Sequence, residues 1–162
     1  MTHDIPKQSG PMIGHVHLKV ADLDRAIGFY RLLGFEVTQR FGSQAAFLGA
    51  DGYHHHIGLN TWDSAGAPPA PAGHAGLYHL AVLYPDRMAL AQALARVLAS
   101  GVALEGAADH GVSEAVYMRD PDGNGVELYR DRMPEDWPRD ANGALAMNNA
   151  RLDVQALLAL AG

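Results

Sequence analysis

His15-Val16-His17-Leu18-Lys19-Val20, followed by Asp22, decides how the first half of this chain is read. The alternation places His15 and His17 on one face of a strand and Val16 and Leu18 on the other. Asp22 suits a helix N-cap, and Leu23, Ala26, Ile27, Tyr30 and Leu33 recur at the spacing of one apolar helix face until Gly34 stops it. Three further strands fit residues 35–41, 45–49 and 53–60, with Gly and Asp between them. The unit is βαβββ.

The same order returns after residues 61–76, a Pro-, Ala- and Gly-rich stretch with Pro68, Pro69 and Pro71 that reads as a linker. A strand over 77–83, a helix over 87–100 stopped by Gly101, and strands near 102–105, 113–119 and 125–130 form the second unit. His15-Val-His-Leu matches His79-Leu-Ala-Val, and Asp51-Gly52 matches Asp122-Gly123 ahead of each last strand. The repeat therefore pairs His15 with His79, and counting on from each Asp sets His56 opposite Glu127. The expected class is α+β. Its layout is a leader (1–12), a first module (13–60), the linker (61–76), a second module (77–131) and a tail (132–162). A short apolar-faced helix is expected over 152–161, with the tail serving as a lid or a dimer contact.

The 162 residues carry 12 basic and 18 acidic side chains, a formal charge of −6, and no basic run. Nucleic acid and anionic membrane surfaces are poor partners for such a chain. With no cysteine, disulfides and thiolate metal sites are excluded, so any metal must use His and carboxylate ligands. No run is long enough to cross a bilayer, which points to a soluble, cytoplasmic protein.

Three of the nine histidines stand together in Tyr53-His54-His55-His56-Ile57-Gly58-Leu59-Asn60. Adjacent imidazoles suggest metal or proton chemistry. If the stretch is a regular strand with Ile57 and Leu59 against the helix, His54, His56, Gly58 and Asn60 face the pocket. His17 shares the face of His15, and His3 and His74 are expected in solvent.

Four segments, in this order, carry a family resemblance: Gly14-His-Val-His-Leu-Lys-Val20, Tyr53-His-His-His56, Asp109-His110-Gly-Val-Ser-Glu-Ala-Val-Tyr117, and Asp120-Pro-Asp-Gly-Asn-Gly-Val-Glu127-Leu-Tyr-Arg130. Over residues 11–131 the chain resembles the vicinal oxygen chelate superfamily of glyoxalases, bleomycin-resistance proteins and extradiol dioxygenases. Within it the chain looks most like catechol 2,3-dioxygenases of the extradiol type, several of which have four such units where this chain has two.

The resemblance implies two modules forming a half-open mixed sheet around a metal cleft, with His15, His79 and Glu127 as metal ligands. Two imidazoles and one carboxylate on one face are the donor set of non-haem Fe(II) oxygenases; Mn, Ni, Co or Zn also suit such ligands. It further implies a small aromatic diol and O2 as substrates, and is compatible with a homodimer. His110 and Tyr117 take positions where such enzymes use an acid-base group and a hydrogen-bond donor. For the triple His the sources differ. Spacing to Gly58-Leu59 matches His55 to the acid-base His of extradiol enzymes, whereas the repeat and strand alternation favour His56, either as the proton carrier or as a fourth ligand of the glyoxalase kind. A glyoxalase-type isomerase or lyase is thus a second reading, and a non-catalytic small-molecule binding or resistance protein a third.

Overall fold

The computed structural model describes residues 10–162, which fall into two compact units divided between Pro69 and Ala70. Most of the expected leader, with His3, lies outside the described residues.

In the first unit β1 (Val16–Lys19) leads into α1 (Leu23–Leu32), followed by β2 (Glu36–Phe41), β3 (Ala45–Gly49) and β4 (Ile57–Asn60). The Asp22 side chain accepts from Arg25 N–H at 2.9 Å, and Asp24 and Arg31 sit at the helix ends that favour their charges. Leu23, Ala26, Ile27, Phe29 and Tyr30 are buried along α1. They pack with Leu48, Ile57 and Leu59 in the unit's core, where each fully buried large apolar side chain is worth about 1.5–3 kcal/mol. The sheet order is β1-β4-β3-β2, with β1 and β4 parallel and the other pairs antiparallel.

The second unit repeats this with β5 (His79–Leu83), α2 (Arg87–Ala99), β6 (Leu104–Asp109), β7 (Ser113–Arg119) and β8 (Gly125–Asp131), in the order β5-β8-β7-β6. Asp86 caps α2 by accepting from Ala89 N–H at 2.8 Å, and it stands as far beyond His79 as Asp22 stands beyond His15. The β5–β8 pair is parallel, as β1–β4 is. Both β2 and β6 carry a register shift at matching places, between Val37 and Gln39 and between Leu104 and Gly106. The protein is therefore a mixed α+β structure built from two βαβββ repeats.

Three local expectations need correction. The strand expected over 53–60 begins only at Ile57: Asp51 (φ 51°) and Gly52 (φ 77°) form a left-handed turn, after which the chain bends through His54–His56. The strand expected near 102–105 runs instead from Leu104 to Asp109. The tail is neither a bare extended arm nor one helix. Its β9 (Ala150–Arg151) pairs antiparallel with β6, and the expected 152–161 helix is a short α3 (Val154–Leu158) with a 3₁₀ turn, Ala159–Ala161. Leu152 and Leu157 are buried, and this last segment packs on α2. Two-residue pairings carry no periodic signal in a sequence, because their partners are remote.

Candidate active site

The second unit assembles its site on the open face of the sheet. Glu114, Val116 and Met118 alternate toward the buried side of β7, with Glu114 held by Arg87 of α2 and by Arg130, both at 2.9 Å. Tyr117 is thereby turned to the other face, directly across from Glu127 in the β7–β8 ladder. His79 pairs with Gly125 across the parallel β5–β8 pair, and a Cβ at Gly125 would press on the Tyr78 carbonyl and on His79. The missing side chain lets His79 lean along the strand toward Glu127. Its Nε2 lies 2.9 Å from Glu127 Oε2.

The chain of contacts continues from the other carboxylate oxygen. The Tyr117 hydroxyl lies 3.5 Å from Glu127 Oε1 and 2.7 Å from His110 Nε2. Burial, then the charge of Glu127 and its hydrogen bond, push the Tyr117 phenol above its usual range, so it stays protonated at neutral pH. His110 sits just past β6, its N–H donating to the Ser113 carbonyl at 2.9 Å and its Nδ1 lying 3.1 Å from the Asn148 carbonyl. A cavity of about 460 Å³ opens here, lined by His79, Gly106, His110, Tyr117 and the tail residue Asn149.

In the first unit the His15 and His55 rings are in contact, with centroids 4.5 Å apart, and His55 also lies 4.8 Å from Phe47. Nδ1 of His55 is 2.7 Å from Nδ1 of His54. Burial and then the neighbouring His15 lower the basicity of both His55 and His17, which favours neutral rings. His17 lies over Gly58, where a Cβ would come 2.8 Å from the imidazole, and its ring is 5.8 Å from both Phe47 and Trp62.

His56 goes elsewhere, contrary to the alternation expected of a strand over 53–60. Because β4 starts after it, its ring turns against Phe35, the buried residue following α1, and against Tyr53 at 4.7 Å. Its Nδ1 accepts from Ala50 N–H at 3.3 Å. Burial lowers its pKa, against the opposing pull of Asp51.

The strand registers also revise the repeat. Val16 pairs with Ile57, and Leu80 with Val126. With His15 and His79 equivalent, the counterpart of Glu127 is Gly58, not His56. Counting from the two Asp-Gly turns failed because the loops after them differ in length before the strands begin. The exposed His74 of the linker takes no part in these contacts, its Nδ1 lying near the Ala72 carbonyl.

Of the three expected ligands, His79 and Glu127 touch in the second unit, while His15 belongs to the first. Among the described residues no three His, Cys, Asp or Glu side chains gather around one point. An imidazole and a carboxylate are donors that suit a divalent ion, and those of His79 and Glu127 lie together, 2.9 Å apart. Sequence reasoning missed Asn148 and the equivalence of Gly58 to Glu127. Asn148 is far from His110 in the chain and gives no local signal, whereas Gly58 is legible only once the β1–β4 register is known.

The duplicated βαβββ fold with a His opening each repeat places the chain in a defined class. It belongs to the Glyoxalase/Bleomycin resistance protein/Dioxygenase superfamily, whose family model matches residues 12–128. Among individual proteins, it is 42% identical to catechol-2,3-dioxygenase of Bacillus subtilis (strain 168) over 151 residues, 93% of this chain and 52% of that protein. It is 30% identical to biphenyl-2,3-diol 1,2-dioxygenase 3 of Rhodococcus globerulus over 122 residues, 75% of this chain and 64% of that protein. The chain thus spans between half and two thirds of the length of these curated relatives. Two solved structures share the fold. A glyoxylase/bleomycin resistance protein/dioxygenase domain from Frankia sp. EAN1pec aligns with TM-score 0.64 and 24% identity, covering 76% of this chain and all of that one. A glyoxalase/dioxygenase from Nostoc punctiforme aligns with TM-score 0.63 and 20% identity, covering 75% and 92%. No helix among the described residues is long and apolar enough to cross a membrane.

Proposed function

We propose that the chain is, or is part of, an extradiol ring-cleaving dioxygenase acting on a small catechol-like diol with O2. The observation that carries this is the linked set His79, Glu127, Tyr117 and His110, joined by separations of 2.9, 3.5 and 2.7 Å on one open sheet face. The 42% identity to a catechol-2,3-dioxygenase supports the same reading. His79 and Glu127 would hold a divalent ion, an imidazole and a carboxylate that suit Fe(II). Such an ion would chelate both diol oxygens, lower their pKa and make electron density available to O2.

The remaining work falls to the chain's own side chains. His55, kept neutral by burial and by His15, is a base for a diol hydroxyl proton. Tyr117, kept protonated by burial and Glu127, is a donor to negative charge that develops on the reacting oxygens. His110, 2.7 Å behind the phenol, can receive its proton. Phe47 and Trp62 around His17 offer aromatic surface for a planar ring.

A glyoxalase-type isomerase would draw a fourth ligand from the position opposite Glu127. That position is Gly58, which has no side chain to give. The test is to load the full chain with Fe(II) under anaerobic conditions, add a panel of catechols and admit air. A yellow ring-fission product is expected. Iron-loaded protein that turns over none of the panel contradicts the reading; isomerase activity without O2 would restore the glyoxalase type, and tight aromatic binding without metal a sequestering protein.

A further inference from the structure

The tail lies outside the βαβββ repeat, yet it meets the repeat at His110. Asn148 donates its main-chain N–H to the His110 carbonyl at 3.1 Å, and the Asn148 carbonyl lies 3.1 Å from His110 Nδ1. One residue is therefore bonded to both the backbone and the ring of His110. Its own position is fixed from both sides. Downstream, β9 pairs with β6 at Asp109↔Ala150 and Ala108↔Arg151, and Leu152 and Leu157 are buried. Against it lies Gly111, with φ 76°, where a Cβ would fall 2.8 Å from Asn148 Nδ2 and 2.8 Å from Pro138 Cγ. Only glycine combines that backbone conformation with so close an approach.

A peptide carbonyl can accept a hydrogen bond but not donate one, so the proton between Asn148 and His110 belongs to Nδ1. In the neutral ring Nε2 then carries the lone pair, and the Tyr117 hydroxyl at 2.7 Å must donate to it. We propose that Asn148 is a positioning residue whose main-chain carbonyl holds His110 in the Nδ1–H tautomer, presenting Nε2 to Tyr117 as a proton acceptor. A phenol has one proton, so while Tyr117 donates to His110 Nε2 at 2.7 Å it does not donate across the longer 3.5 Å contact to Glu127 Oε1. The proposal rests on the dioxygenase reading for what the acceptor is used for, but not for how the ring is held.

The test uses the full chain, metal-free and labelled with ¹⁵N at histidine, in long-range ¹H–¹⁵N correlation spectra. His110 is assigned by the signals that vanish in His110→Gln. The expected result is one tautomer protonated at Nδ1. In Asn148→Pro, which lacks the N–H bonded to the His110 carbonyl, and in Gly111→Ala, which crowds Asn148, the His110 signals are expected to become a mixture of tautomers while those of His79 stay in place. A proton on Nε2 in the unaltered chain overturns the proposal whether or not the variants fold. So does an unchanged Nδ1–H tautomer in both variants once they fold. A fixed Nδ1–H tautomer in a chain that cleaves no catechol leaves the positioning intact and removes only the dioxygenase reading.

Discussion

Nε2 of His79 and Oε2 of Glu127 face each other at 2.9 Å across a parallel strand pair, with the side chain between them deleted at Gly125. The pair joins the start of the repeat's first strand to the middle of its last, and this is how a duplicated fold brings ligands remote in sequence together.

Replacing Glu127 with Gln keeps the shape but removes the charge. Since loss of groups that merely support metal ligands costs 10–100-fold in affinity, Glu127→Gln is expected to weaken Fe(II) binding by more than roughly 100-fold. Anaerobic titration with Fe(II) measures this, and unaltered affinity would remove Glu127 from the ligand set.

Tyr117→Phe deletes a hydroxyl placed between His110 and Glu127. Loss of one such donor is expected to lower kcat by roughly 100-fold, with iron content unchanged and KM little affected. Steady-state kinetics alongside iron analysis decide it; a rise in KM alone would make Tyr117 a binding residue.

The adjacent histidines should separate cleanly. His55→Gln is expected to lower kcat by roughly 100-fold or more, as loss of a general base does, with a normal melting curve. His56→Gln is expected to leave kcat within about twofold and to cost about 1 kcal/mol of stability through its bond to Ala50. The reverse pattern would return the acid-base role to His56.

The His15–Val20 alternation, the Asp22 and Asp86 caps and the Asp-Gly turns are local signals, and they sufficed for two βαβββ units. The assignment of His56 to the pocket failed because alternation holds only inside a strand, and the left-handed turn at Asp51-Gly52 delays β4 until Ile57. Gly58 as the counterpart of Glu127 and Asn148 as the partner of His110 depend on pairings between distant segments. No window of sequence around either residue carries them.

Folding lowers the pKa of His17, His55 and His56 from 6.5, with burial the first cause in each. Below about pH 6.5 the unfolded chain then binds more protons than the folded one, so stability rises with pH through this window and is fully present above it. The urea midpoint of the metal-free protein is expected to be higher at about pH 7.5 than at about pH 5.5, with a smaller difference in His56→Gln. Equal midpoints would contradict this.

Leu157 of the tail is fully buried in the segment that covers α2. Leu157→Ala is expected to cost about 2–5 kcal/mol, measured by denaturant unfolding, which would make the tail part of the second unit's core. A loss below about 0.5 kcal/mol would show that it is not.

Oxygen consumption by the Fe(II)-loaded full chain, measured against catechol consumed, tests the central claim most directly. The account predicts one O2 taken up per catechol, with both oxygen atoms recovered in the ring-opened product and uptake lost in Glu127→Gln. Catechol bound to iron-loaded protein with no O2 uptake, or uptake unchanged in Glu127→Gln, would contradict it.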